Sequence, residues 1–530
     1  MSEKNKDLLN SPAASSKFVI DIEDFNIRII GAYNNGQAEN GLPADITTAQ
    51  SIVPAGTGVL RDFSYITPEI PEYIPENCVG CMECVTECPD TAILGKVIEE
   101  KDLEKELASI EDVALREHFK KQFVKTQKYH TTYEKKTGQG GLFGIFIDPT
   151  KCKGCAECVA VCDDDALKMI DKTEHNMKEY NDTFHLYKKA PETPSKYIND
   201  KVLADMMLAE KSLLYVGGAG SCMGCGEATA LRMMLAATGF VHGPENVGVV
   251  ASTGCNTVYS STYPYNPFMT PWANSLFENG PTFAMGVRAR WDQNPVDKAK
   301  KLWLVGGDGA LLDIGFQALS RMLLSGMNIK VIMLDTQVYS NTGGQASTGT
   351  FHAQEAKMSA YGKELKGKKE RRKEMAQIAM MHPNVFVAQT TAAHINHFYR
   401  AIMAANEFDG PAVVSVYTTC QPEHGVGDNM SSAQARLAVD SRAFPLIMYD
   451  PRKGLSFKER LSLQGNPSPK DNWYVNPKTN EEITFIDFAK SEGRFAKQFT
   501  KDGAPSAELL ETKQERLENW NQLQELAGLK

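Results

Sequence analysis

The sequence holds no run of 18 apolar residues, so it offers no candidate membrane span. Residues 1–20 have no apolar stretch behind a basic start, and secretion is not expected. Long basic tracts are lacking too. With a formal net charge of −9 over 530 residues, the electrostatic case for nucleic acid or an anionic membrane surface falls away. Histidines at metal-binding intervals are a further absence: His382, His394, His397 and His424 read as surface or core residues. What remains is the expectation of a soluble, cytoplasmic protein of several domains.

Cysteine, by contrast, is grouped. Twelve are present, and in a reducing compartment closely spaced thiols read as metal ligands before disulfides. "CVGCMECVTECP" carries Cys78, Cys81, Cys84 and Cys88 at the spacing C-x2-C-x2-C-x3-C-P, and "CKGCAECVAVCD" repeats it with Cys152, Cys155, Cys158 and Cys162. This is the bacterial ferredoxin pattern, in which each run's fourth cysteine ligates the other run's cluster. Cys78, Cys81, Cys84 and Cys162 are thus expected to hold one 4Fe-4S cluster, and Cys152, Cys155, Cys158 and Cys88 the second. Zinc, the alternative, prefers two separated pairs. Asp163 replaces the usual proline and opens an acidic run with Asp164 and Asp165. Negative charge there would make the cluster bound by Cys162 the more reducing one; a solvated loop is the plainer reading.

Residues 66–175 are read as a two-cluster ferredoxin-like α+β domain with a helical insert at about 97–140, ending in a flexible Gly-Gln-Gly-Gly. Residues 1–65 form an N-terminal extension with no legible role. From about residue 200, short apolar runs alternate with helical stretches. "NVGVVAS", "KLWLVGGDG", "NIKVIMLDT" and "PAVVSVYTTC" read as strands, while Leu312, Phe316, Leu319 and Leu323 mark one helical face that Gly326 stops. The alternation predicts an α/β fold with a parallel sheet.

Cys255, Asp308, Thr336 and Cys420 each follow the end of a predicted strand, where open parallel sheets bind ligands. Cys222 and Cys225, in "GSCMGCGE", precede an amphipathic helix. The four remaining cysteines, Cys222, Cys225, Cys255 and Cys420, can therefore converge on one edge as a third cluster site; buried structural thiols are the alternative. "GGDG", then a helix, a strand and "DTQVYSNTGGQ", places an aspartate and a hydroxyl where together they could hold Mg2+ and a diphosphate. It resembles the thiamine diphosphate signature, a GDG followed about thirty residues later by Asn-Asn, with Asp335-Thr336 standing in for the pair.

"GSCMGCGE", "TGC", "PWANSLFEN", "GGDGALLDIGFQAL", "DTQVYSNTGGQ" and "AFPLIMYDPR" together resemble the C-terminal part of the pyruvate:ferredoxin oxidoreductases, over about residues 66–530. The resemblance implies a proximal 4Fe-4S cluster on Cys222, Cys225, Cys255 and Cys420. It implies Mg2+ on Asp308, Thr336 and the Val338 carbonyl, and a thiamine site lined by Glu227, Cys255, Gly307, Asp308, Gly309, Ala310 and Thr336, Gln337, Val338, Tyr339, Ser340 and Asn341. Asn341 would stand closest to the reacting carbonyl. The diphosphate-binding domain would span residues 176–429 and a C-terminal extension residues 430–530.

A domain for the pyrimidine ring is not evident, so the resemblance implies a beta subunit that completes its site with an alpha subunit, in a higher hetero-oligomer. The implied reaction is oxidation of pyruvate with coenzyme A to acetyl-CoA and carbon dioxide, or its reverse, with electrons passing through three 4Fe-4S clusters to ferredoxin or flavodoxin. The same chemistry on 2-oxoglutarate or another 2-oxoacid, or a non-catalytic electron-transfer subunit, stand as alternatives. Residues 366–374, "KGKKERRKE", read as a solvated helix face or a docking patch for an acidic partner. The amphipathic C-terminal stretch could dock on a neighbouring subunit.

Overall fold

The computed structural model describes residues 22–359 and 367–530, apart from residues 43, 45–48, 50 and 51. Residues 1–21 of the N-terminal extension and Lys366 of the basic run lie outside the described residues.

The two cysteine runs sit between short antiparallel ribbons. Strand β1 (Glu69–Tyr73) pairs with β5 (Leu167–Asp171), and β2 (Ile93–Glu99) pairs with β4 (Gly141–Ile147), to which the short β3 (Phe123–Val124) adds. Both runs bend identically: left-handed backbone at Gly80, Met82 and Thr91 in the first recurs at Gly154, Ala156 and Asp165 in the second. Such a loop aims successive thiols at one point.

The insert between the runs begins later than expected, because residues 97–99 belong to β2. Its first two helices are Glu100–Ala108 and Val113–Lys121. The glycines at its end are not a flexible tail. Gly138, at φ 77°, terminates the helix Thr132–Thr137, and a Cβ on Gly141 would stand 2.4 Å from Val97 Cγ1. Gly141 is small so that β4 can lie against β2.

The large sheet has eight strands. In chain order they are β6 (Val247–Ser252), β7 (Trp272–Ser275), β8 (Lys301–Gly307), β9 (Lys330–Asp335), β10 (Phe386–Thr391), β11 (Ala412–Tyr417), β12 (Ile447–Tyr449) and β13 (Leu461–Ser462). Across the sheet the order is β13-β12-β10-β11-β9-β8-β6-β7. From β10 to β7 every neighbour is parallel; β12 and β13 close the far edge antiparallel.

Alternate residues of one strand serve opposite layers. Trp303 and Val305 of β8 pack with the helices Gly226–His242 and Ile395–Glu407, while Leu302 and Leu304 pack with Gly280–Asp292 and Phe316–Leu324. Burial on both faces is why these strands read as continuous apolar runs. The first layer continues into the cysteine-bearing ribbons through Ile70, Val85 and Phe143. Arg232, fully buried on Gly226–His242, donates from Nη1 to the carbonyls of Val85 (2.6 Å) and Cys88 (3.0 Å).

Three expectations change. Leu312 belongs to a separate π-helical turn, Gly309–Ile314, and the regular helix Phe316–Leu324 starts after Gly315. The described part of the basic run is not helical, and it is only partly solvated, with Lys369, Glu370 and Arg371 exposed. Arg372 is buried against Asp335 at 2.8 Å, and Lys373 Nζ donates to the Leu312 carbonyl at 2.6 Å. The C-terminal helix, Ala507–Leu526, docks on its own chain. Leu509, Trp520 and Leu523 are fully buried, and Arg442 lies over the Trp520 ring at 4.3 Å.

Candidate functional site

The carboxyl ends of β6, β8, β9 and β11 share one edge of the sheet, and the chain leaves β6 and β8 in opposite directions. A crevice opens at such a reversal. Two adjoining cavities occupy it. One is lined by Asp308, Gly307, Gly309, Ala310, Val338 and Tyr339. The other, of about 110 Å³, is lined by Cys222, Cys225, Cys255 and Cys420. Glu227, Cys255, Thr336, Ser340 and Asn341 line both.

In the first cavity, Thr336 Oγ1 lies 3.3 Å from Asp308 Oδ1 and 3.1 Å from the Val338 carbonyl oxygen. Octahedral Mg2+ with oxygen ligands at about 2.1 Å sets adjacent ligands about 3.0 Å apart. Three hard oxygens at that spacing, one an acid, fit Mg2+. Asp308 is fully buried, and burial, then the charge of Asp335, pushes its carboxyl up to about 8. Glu227 is raised to about 8 by burial and then by Asp308, and its Oε2 is buried without a hydrogen-bond partner. An orphaned acid in a crevice of this kind is a group awaiting a ligand.

Two glycines stand at close approaches. A Cβ on Gly309 would meet the Tyr339 ring at 2.4 Å, and one on Gly349 would stand 3.3 Å from Asp308 Cβ. The turn after β9 brings Val338, Tyr339, Ser340 and Asn341 to the cavities but not Gln337. With φ 57° and no exposure, Gln337 turns inward, where its amide N–H donates to Asp335 Oδ1 and its carbonyl accepts from Thr350 Oγ1 at 2.6 Å. It buttresses the turn rather than lining the site.

In the second cavity burial raises all four thiols, Cys420 to about 12. Ser340 and the Glu423 amide donate to the Cys420 sulfur. The two ferredoxin-like sets cross over. Cys162 bears electrostatically on Cys78, Cys81 and Cys84, and shares one cavity with them. Cys88 bears on Cys152, Cys155 and Cys158. Backbone amides donate to the fourth sulfurs alike, Ala92 to Cys88 at 3.3 Å and Ala166 to Cys162 at 3.2 Å. Among the described residues no cysteine set brings three ligand atoms within 4.8 Å of one another, whereas four thiolates on one zinc ion would lie about 3.8 Å apart. The run spacing and the crossed fourth cysteines are consistent with iron-sulfur ligation.

Sequence reasoning missed several supporting groups. His424, taken as a surface or core residue, is fully buried, and its Nε2 meets the Thr336 carbonyl at 2.8 Å while the Cys420 amide approaches its Nδ1. It ties the turn carrying Cys420 to the one carrying Thr336, and its position four residues after Cys420 was the available signal. Ser347, which donates to Asp308 Oδ2, had none. Glu157, between Cys155 and Cys158, accepts from the amides of Ser431 (3.0 Å) and Ser432 (2.8 Å) and so joins the ribbons to the helix Ser431–Asp440.

Sheet topology, the oxygen trio and the crevice define a thiamine-diphosphate-binding domain, and residues 252–416 match the family described as thiamine pyrophosphate enzyme, C-terminal TPP binding domain. More narrowly, the chain is similar to the pyruvate:ferredoxin and pyruvate-flavodoxin oxidoreductases. It is 28% identical to the mitochondrial pyruvate dehydrogenase [NADP(+)] of Euglena gracilis, over 83% of this chain and 27% of that protein. It is 28% identical to a probable pyruvate-flavodoxin oxidoreductase of Escherichia coli, over 80% of this chain and 40% of that one. With the pyruvate:ferredoxin oxidoreductase of Moorella thermoacetica the identity is 26%, over 91% of this chain and 44% of that one. The chain thus spans less than half the length of these relatives.

Proposed function

We propose that this chain is the beta subunit of a pyruvate:ferredoxin oxidoreductase, acting in the cytoplasm. It would oxidise pyruvate with coenzyme A to acetyl-CoA and carbon dioxide, or run the reverse carboxylation. The observation that carries the reading is the wall common to the two cavities: Glu227, Ser340 and Asn341, with Thr336 of the oxygen trio and Cys255 of the cysteine set, line both.

In this reading Asp308, Thr336 and the Val338 carbonyl hold Mg2+ against a diphosphate, and Gly307, Gly309 and Ala310 leave room for it. Thiamine diphosphate, when bound, supplies an electron sink for the pair released as carbon dioxide departs. Asn341, on the common wall, donates its amide towards the substrate carbonyl, and Glu227 offers its free carboxyl oxygen to the cofactor. Cys222, Cys225, Cys255 and Cys420 hold a 4Fe-4S cluster beside it. The two ferredoxin-like sets hold two more, and exposed Cys81 marks the exit towards a soluble ferredoxin or flavodoxin. No helix among the described residues is long and apolar enough to cross a membrane. The pyrimidine-binding domain comes from an alpha subunit in a higher hetero-oligomer.

The test is anaerobic purification with the candidate alpha subunit, followed by metal and cofactor analysis and assays with pyruvate, 2-oxoglutarate and indolepyruvate. About twelve irons per chain, four for each cysteine set, bound thiamine diphosphate and coenzyme A-dependent turnover of pyruvate are expected. Turnover of 2-oxoglutarate alone would move the substrate. A complex that binds no thiamine diphosphate in Mg2+ would overturn the enzyme reading.

A further inference from the structure

Lys153 lies between Cys152 and Cys155, at a position where no ligand is needed, yet it is one of the more deeply buried lysines, 4% exposed. Its ammonium pairs with Asp90 Oδ1 at 2.6 Å and donates to the carbonyls of Ala219 (2.9 Å) and Ser221 (2.8 Å). Asp90 stands two residues after Cys88, and Ser221 directly before Cys222. Ser221 Oγ completes the cage, 3.1 Å from Lys153 Nζ and 3.3 Å from Asp90 Oδ1.

The Phe63 ring covers the ammonium at 4.7 Å. Phe63 belongs to the N-terminal extension, which crosses the same seam: the Gly58 amide donates to the Asn266 carbonyl on the sheet side, and the Phe63 amide to the Thr150 carbonyl on the ribbon side. One cation is thus clamped between the loop that carries Cys222 and the two segments that carry Cys88, Cys152 and Cys155. Water is kept out.

We propose that Lys153 is a positioning residue for electron transfer across this seam: it fixes the Cys222 loop against the Cys88–Cys152 set and places in the seam between the two a positive charge that favours the reduced state of the site beside it. The inference rests on the cluster reading above. The step it assists is a one-electron transfer in which the Cys222-containing site is oxidised by one electron and the Cys152-containing site reduced by one. No bond forms and no proton moves. The electron originates in the 2-oxoacid and leaves on a soluble one-electron carrier. Asp90 offsets part of the charge and Arg232, which bears on Cys88, contributes a second, so the sign of the effect is set by which member of the Lys153–Asp90 pair is removed.

The test is redox titration of the purified complex, followed by electron paramagnetic resonance, for Lys153→Gln, Lys153→Arg, Asp90→Asn and the double variant Lys153→Gln/Asp90→Asn. One of the three midpoints should become more negative in Lys153→Gln, with the ratio of reduced to oxidised site at fixed potential falling about tenfold, equivalent to 59 mV for a one-electron couple. Asp90→Asn should move the same midpoint in the opposite direction, the double variant should lie between, and Lys153→Arg should stay near the parent. Should Lys153→Gln fail to assemble, Asp90→Asn and the double variant still read the sign. Midpoints unmoved in variants that keep full iron, or shifts of one sign in both single variants, would overturn the proposal. A parent complex with far fewer than about twelve irons would strike the cluster reading instead.

Discussion

Replacing Asp308 by asparagine should push the protein in opposite directions with and without its ligands. Burial, then Asp335, lifts the Asp308 carboxyl to about 8, while in the unfolded chain it ionises near pH 4. Between about pH 4 and 8 the folded protein therefore binds more protons than the unfolded one. The stability of the metal-free protein falls as pH rises through that window and levels off above about 8. About four units at roughly 1.4 kcal/mol each put the loss on the order of 5 kcal/mol. Asparagine keeps the volume and cannot ionise, so metal-free Asp308→Asn should melt no lower than the parent at pH 7.5 and lose much of this slope. With Mg2+ the order reverses. An amide is a poorer partner for the metal than a carboxylate, and thiamine diphosphate binding at pH 7.5 should weaken by roughly 100-fold or more. In the parent the metal must expel the Asp308 proton, so its binding should tighten from pH 6 to about 8. Melting curves in chelator from pH 5 to 9 and calorimetric titration with Mg2+ and thiamine diphosphate read both effects. Unchanged affinity in Asp308→Asn would refute the oxygen trio as the metal site, and a variant that melts far below the parent in chelator would refute the burial penalty.

Cys420→Ala should reduce iron from about twelve to about eight per chain and remove one set of resonance signals while leaving two; iron retained in full would exclude Cys420 as a ligand. Glu157→Ala leaves the buried amides of Ser431 and Ser432 without their acceptor, a loss of about 2–5 kcal/mol that denaturant unfolding of the complex should show as a lower midpoint; a coincident curve would mean the two segments are held by other contacts. Trp520→Ala empties a fully buried site under Arg442 and should cost about 3–5 kcal/mol, with proteolysis starting within residues 507–526. A C-terminal helix that instead serves to bind a neighbouring subunit would leave the isolated chain's midpoint unchanged.

Much of the site was legible because its chemistry is local. Within one cysteine run the reach of three or four residues decides which thiols meet, and a strand followed by a turn puts Asp308 or Thr336 at a sheet edge whatever the rest of the chain does. Roles that depend on direction were not. Gln337 sits in the same turn as Val338 and Tyr339, yet a left-handed backbone points it into the core. The basic run around Arg372 reads as solvated until the chain end of β9 offers Asp335 as a buried partner.

By itself the sequence determined the α/β alternation, the two ferredoxin-like runs and the kinds of atom at the carboxyl ends of the strands, since periodicity and spacing are properties of neighbouring residues. Only the tertiary structure decided that Cys222 and Cys420 line one cavity, that Glu227 keeps an unpaired oxygen beside Asp308, and that Lys153 reaches across a seam to Asp90 and Ser221. Each of these joins segments tens to hundreds of residues apart. Their meeting is set by strand order and by which helix faces pack, and no local pattern encodes either.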